Sequence, residues 1–193
     1  MTVKTTTKVF GIDQIMLYPI SADNSSTYSV SDGVELPGAK SLEVTFVIDE
    51  KNLSGNELIL DIYSKVKKLT FSASFAKLEL EVLKSALGGV LTQNTNAGGN
   101  SAVLSVQNGG NTGYFQLVAK VSGTDEGSLF LHLMKCKAAA IPIKASESDF
   151  AAFSLSGSGI YTTKKFTKNS TTAEILMDIA MFDNSQAISA VTS

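Results

Sequence analysis

Val66-Lys67-Lys68-Leu69-Thr70-Phe71-Ser72-Ala73-Ser74-Phe75-Ala76-Lys77-Leu78-Glu79-Leu80-Glu81-Val82-Leu83-Lys84-Ser85-Ala86-Leu87-Gly88-Gly89 changes its hydrophobic period partway along. Up to Phe75, Leu69, Phe71, Ala73 and Phe75 share one face, and Lys68, Thr70, Ser72 and Ser74 share the other. A period of two marks a strand with one face on a core. Beyond Lys77 the spacing lengthens. Leu78, Val82 and Ala86 are four apart, and Leu80, Leu83 and Leu87 broaden the same stripe. Glu79 and Glu81 fall in the first turn, Lys84 in the last, and Gly88-Gly89 follows, an arrangement that suits the helix dipole and supplies a stop. The spacing predicts a strand followed by a short helix over about residues 78–87.

Outward from this stretch the period of two dominates. Leu42, Val44, Phe46 and Ile48 oppose Glu43, Thr45 and Val47, and Phe115, Leu117, Ala119 and Val121 oppose Tyr114, Gln116, Val118 and Lys120. Leu129–Cys136 is apolar on both faces apart from His132 and Lys135, which predicts a central strand covered on both sides. Asn108-Gly109-Gly110-Asn111 supplies residues that tolerate a tight turn, so Ala102–Gln107 is expected to pair with Tyr114–Ser122. Gly123–Gly127 would carry that strand into the next, completing a three-stranded meander. Weaker strands are expected at Lys8–Tyr18, Glu57–Tyr63, Phe150–Gly157 and Glu174–Phe182, and loops at Ser21–Lys40, Asp49–Asn56 and Ile141–Asp149. The fold expected is mainly β: an antiparallel β-sandwich or barrel with one short flanking α-helix.

Composition narrows the function. The chain has 193 residues, with 16 basic residues, all Lys, against 18 acidic ones, one His, one Cys and no Trp. That length suits one domain with its own core. Absent Arg and a net charge of −2 argue against sequence-specific nucleic-acid readout, which leans on bidentate Arg and a basic stripe. Cys136 has no second cysteine to pair with. The first eighteen residues lack the apolar run of a signal peptide, and no stretch reaches the roughly 18 apolar residues of a membrane helix. Folding in a cytoplasm is therefore expected.

Chemistry-bearing residues are few. His132 lies between Leu131 and Leu133 without a nucleophile elbow and reads as a structural histidine. Cys136 reads as a small core residue, and one His with one Cys cannot build a zinc site. No segment has the acidic spacing of an EF-hand loop. Ser64-Lys65-Val66-Lys67 and Ser74-Phe75-Ala76-Lys77 both match Ser-x-x-Lys but lie in or beside strands, and no Lys-Thr-Gly partner accompanies them. Gly157-Ser158-Gly159 reads as a turn, and the sequons at Asn24, Asn52 and Asn169 carry weight only with a secretion route. Two lysine clusters, 65/67/68 and 164/165/168, read as solvated faces. No enzyme, cofactor or metal is expected.

From Ser85 through Ala119 no residue is charged. Strand edges in soluble monomers are usually guarded by Lys, Glu or Pro, and this span offers none. Two readings stand: a Gly/Asn-rich surface loop beside a core hairpin, or a strand pair that neighbouring subunits cover.

The run Val66–Gly89 resembles the strand-then-helix segment of bacteriophage major tail proteins, the tail tube family of long-tailed phages. Tyr114–Ala119, Leu129–Ala138 and Phe150–Gly157 resemble later strands of that family in the same order, so the likeness spans roughly residues 43–159. It implies one tail-tube-like domain over 1–193, with an N-terminal arm at about 1–8 and a C-terminal extension at about 184–193. It implies subunits that close into rings, usually hexameric, stacked as a virion tail tube assembled in the host cytoplasm. The implied partners are further copies of the chain, a tape-measure protein, and tail-terminator and distal tail or baseplate proteins, with DNA passing through unread. On that reading the helix and the uncharged span lie partly between subunits, with Leu78, Glu79, Val82, Lys84, Ser85, Gln93, Asn94, Asn96, Asn108 and Asn111 as interface candidates. Alternatives are the inner tube of a contractile tail or related injection system and, in another class, a β-sandwich module binding carbohydrate or a cell surface, against which absent Trp weighs.

Overall fold

A computed structural model describes residues 9–55, 58–96, 99–106, 112–123, 127–143, 153–182 and 186–192. In chain order the elements are β1 (Val9–Asp23), β2 (Tyr28–Val30), β3 (Val34–Glu35), β4 (Ala39–Gly55), β5 (Leu58–Phe75), α1 (Leu80–Leu87), β6 (Val90–Asn96), β7 (Gly99–Ser105), β8 (Phe115–Gly123), β9 (Ser128–Ala140), β10 (Phe153–Gly159), β11 (Lys165–Lys168), β12 (Thr171–Glu174) and β13 (Met177–Phe182). The mainly β class with one short helix is as the sequence reads.

The main sheet is antiparallel throughout, in the order β2-β1-β8-β9-β10-β5-β4, with β13 on β9 and β3 on β1. Although four strands separate β1 from β4 in that order, the two come into contact, so the sheet curls around a core. Inside the curl lie Ile15 and Leu17 of β1, Leu69, Phe71, Ala73 and Phe75 of β5, Leu117 and Ala119 of β8, Leu133 and Cys136 of β9, and Leu155 of β10. α1 closes this core with Val82 and Ala86, both fully buried. The helix starts two residues later than its spacing predicts, because Glu79 is extended at the N-cap. Gly88, at φ 75°, ends it in a conformation that favours glycine.

β9 is the central strand expected, with β8 on one side and both β10 and β13 on the other. Its second face is buried too: Phe130, His132 and Met134 lie beside Gln116 and Val118 of β8 and Tyr28 of β2.

Four local expectations are corrected. β7 pairs with β6, not with β8, so the first leg of the meander is absent; β8 finds its partners in β1 and β9. The Asn108–Asn111 turn lies outside the described residues. Asp49–Gly55 is strand rather than loop, because β4 continues in register against β5 down to Gly55↔Leu58. Ser21–Lys40 contains β2 and β3. Gly157-Ser158-Gly159 is strand, not turn, held between β5 and β9, where an added Cβ at Gly157 would meet the Lys137 carbonyl oxygen at 2.2 Å. Glycine lets the backbones approach there. A tight turn does occur at Asn169-Ser170, between β11 and β12, where φ is 48° and 67° without any glycine.

Candidate self-association surfaces

The pairing of β4 with β5 outruns the rest of the sheet. β10 follows β5 only from Phe75 to Leu69, whereas β4 follows it from Ala39↔Phe75 to Gly55↔Leu58. From Ile48↔Val66 outward the hairpin has no further strand on either edge among the described residues. Its eight residue pairs' worth of strand rise about 3.4 Å each, so this arm reaches roughly 25 Å beyond the core. An isolated two-stranded hairpin is marginal in water.

The register gives the arm two unlike faces. After a bulge at Val47/Ile48, the pairs Ile48↔Val66, Glu50↔Ser64 and Asn52↔Ile62 share one face, which continues the side bearing Phe46. The pairs Asp49↔Lys65 and Lys51↔Tyr63 share the other. On the first face Phe46, Ile48 and Ile62 are 46%, 54% and 57% exposed. That face runs into a groove of about 440 Å³ between the base of the arm and the β11–β13 region, walled by Phe46, Val66, Tyr161, Phe166, Met177 and Ile179. Tyr161 anchors the junction by donating its hydroxyl to the Val66 carbonyl at 3.1 Å. β4 ends the sheet, and among the described residues no strand pairs with its outer edge.

The uncharged span divides in two. β8 is core, whereas β6–β7 forms a separate two-stranded sheet whose β7 is exposed nearly throughout, with Val90 and Val103 about half exposed. The sequence-derived interface candidates scatter accordingly. Val82 is fully buried in the protomer's own core and is lost to any interface, because the stripe it shares with Ala86 seals the curled sheet. Leu78 and Ser85 are half-buried, Glu79 and Lys84 exposed, and Lys84 pairs with Glu81 at 3.4 Å. Gln93 and Asn94 are exposed on β6, which Asn96 ends. Asn108 and Asn111 lie outside the described residues. The structure therefore groups Gln93 and Asn94 on one hairpin and Glu79 and Lys84 on the helix surface, and it adds the arm.

The titratable interior is structural. Burial pushes the Cys136 thiol up and holds His132 neutral by lowering its pKa, the field of Lys168 acting in the same direction and Asp178 opposing it. The His132 ring stacks on Phe130 at 6.0 Å, and its Nδ1 has no hydrogen-bond partner among the described residues. Asp23 accepts hydrogen bonds from Lys135 Nζ at 2.6 Å and from the backbone N–H groups of Thr163 and Lys164 at 2.9 Å each. Desolvation alone would raise its carboxyl; these donors outweigh it and hold it below the usual range. Among the described residues no three His, Cys, Asp or Glu side chains cluster as metal ligands, and no helix is long and apolar enough to cross a membrane.

No protein-family model and no curated protein sequence matches the chain.

Proposed function

We propose that this chain is a structural subunit that polymerises, its copies closing into rings that stack as the tube of a bacteriophage tail and conduct DNA into the host. The observation that carries the reading is the β4–β5 arm: a long ladder on one face of which Phe46, Ile48 and Ile62 stay about half exposed. A neighbouring copy would bury Phe46, Ile48 and Ile62 and pair the β4 edge, and contacts between unlike patches of identical subunits give rings or open filaments. The uncharged β6–β7 hairpin offers a second surface of the same kind. Absent Arg and a slightly negative charge suit a channel that must not grip phosphates. The resemblance of Val66–Gly89 to tail tube proteins supplies the particular assembly, together with the tape-measure, terminator and baseplate partners and a place in the virion tail. The inner tube of a contractile tail would use the same surfaces.

Electron microscopy of the concentrated, purified protein tests this. Rings or tubes with a neutral to acidic lumen are expected. A species that stays monomeric at high concentration overturns the reading, and a lysine-lined channel overturns its electrostatic part.

A further inference from the structure

The face of the arm opposite Phe46, Ile48 and Ile62 is built from cations and aromatic rings. Tyr63 and Lys65 alternate along β5 and share this face, and Lys67 follows at the bulge. The register sets Lys51 across from Tyr63 and Asp49 across from Lys65. Together with Val66 and Tyr161 these residues wall a concavity of about 360 Å³. Lys65 and Lys67 stand about 7 Å apart along the strand, and Lys51 lies diagonally across from Lys65 at about 7–8 Å. Lys68, next in sequence, is half-buried and takes no part in the wall.

These charges are not spent on the protein itself. Among the described residues none of Lys51, Lys65 and Lys67 has an ion-pair or hydrogen-bond partner, and Asp49 forms no ion pair with the lysine it faces. Three lysines against one aspartate leave this face at +2 on a chain whose net charge is −2, so positive potential is concentrated here. The Tyr63 ring among them is 61% exposed, and no other ring and no lysine stacks on it among the described residues. Spaced cations beside an open aromatic face are the two elements that hold a single strand, one taking phosphates and the other a base. A duplex keeps its bases stacked inside and offers none to the ring. An acidic peptide would use the lysines and leave the ring idle.

We propose that the Lys51, Lys65 and Lys67 face of the arm binds single-stranded nucleic acid. Three phosphates sit on the lysines and one base lies on the Tyr63 ring, with Tyr161 closing the concavity at the base of the arm. With neither Arg nor a hydrogen-bonding code, the contact reads no sequence. The inference goes beyond the tail-tube reading and does not rest on it. Duplex DNA passing through a tube would lack the unstacked base that this face requires.

Fluorescence anisotropy of a labelled twelve-nucleotide thymidine strand tests this, at protein concentrations where the chain is monomeric. With three phosphates engaged, log affinity against log salt should have a slope of about −2, so binding weakens roughly 20-fold between about 50 and 200 mM salt. Tyr63→Leu should weaken binding roughly 5- to 150-fold, the worth of one stacked base. Replacing all three lysines by Gln should flatten the salt slope. Asp49→Asn should tighten binding, a gain that no loss of folding can imitate. A duplex of the same length and a poly-glutamate peptide of the same charge should each bind at least about tenfold more weakly than the single strand. Equal binding of the duplex or of the peptide overturns the proposal, the second result in favour of an acidic protein partner. Unchanged affinity in Tyr63→Leu or in the lysine variant, with both folded by circular dichroism, overturns it as well. Strand binding by a protein that forms no rings or tubes would leave this inference standing and remove the tail-tube reading; tubes from a protein that binds no strand would do the reverse.

Discussion

Replacing both Ile48 and Ile62 by Ser tests the arm directly. The register puts the two side chains on one face, and each leaves a little over half its surface in water in the single chain. Full burial of an isoleucine is worth about 1.5–3 kcal/mol, so a neighbour that covers the exposed half gains about 0.8–1.5 kcal/mol from each. Counted once per subunit, the double substitution removes about 1.5–3 kcal/mol from each association step. At 1.4 kcal/mol per factor of ten, the critical concentration for assembly should rise about 10- to 100-fold. Light scattering against protein concentration, read with sedimentation, measures it. Thermal melting of the unassembled protein is the control and should move little, because neither side chain belongs to the core. An unchanged critical concentration would refute the argument, as would a large loss of melting temperature, which would mean that the arm packs on its own chain.

Gly157→Ala should cost about 2–3 kcal/mol, since its Cβ would stand 2.2 Å from the Lys137 carbonyl oxygen and 2.7 Å from the Phe71 ring; calorimetry should show a melting point lower by roughly 5–10 °C. Asp23→Asn leaves the Lys135 ammonium buried without its carboxylate and should cost about 3 kcal/mol at neutral pH, at the low end for a broken buried pair because Lys135 keeps the Thr163 hydroxyl and the Tyr114 ring. The Asp23 carboxyl is held below its ordinary 3.8, so its contribution is complete above that value and fades as pH falls through the lower, folded value; urea titrations of variant and wild type should therefore converge in acid. His132 acts with the same sign at higher pH: the unfolded chain takes up a proton near pH 6.5 and the folded chain only at lower pH, so stability should fall as pH drops below 6.5, and His132→Phe should flatten that slope.

The alternation of Leu69 through Phe75 and the four-residue spacing of Leu78, Val82 and Ala86 were enough to place strand, helix and core, because burial on one face imposes its period on the sequence. Leu129–Cys136 announced a central strand for the same reason: both of its faces are covered, and both are apolar. Pairing was harder. β6 and β7 are nearly as polar on one face as on the other, so no hydrophobic pattern bound β7 to a partner, and turn chemistry at Asn108–Asn111 suggested β8 instead.

The arm shows where alternation stops being informative. Phe46 and Ile48 continue the stripe of Leu42 and Val44 without a break, and nothing in the residues separates the pair that faces the core from the pair that does not. The separation comes from β10, which stops at Leu69 and leaves the outer ladder unsupported. A period of two says that a strand face will be buried; it is silent on whose chain does the burying. In a monomer Ile48 and Ile62 on a bare hairpin would be a liability for edge-to-edge aggregation. The same stripe running unbroken from the core onto the arm is what a subunit needs if the burial begun in its own sheet is completed by the next copy.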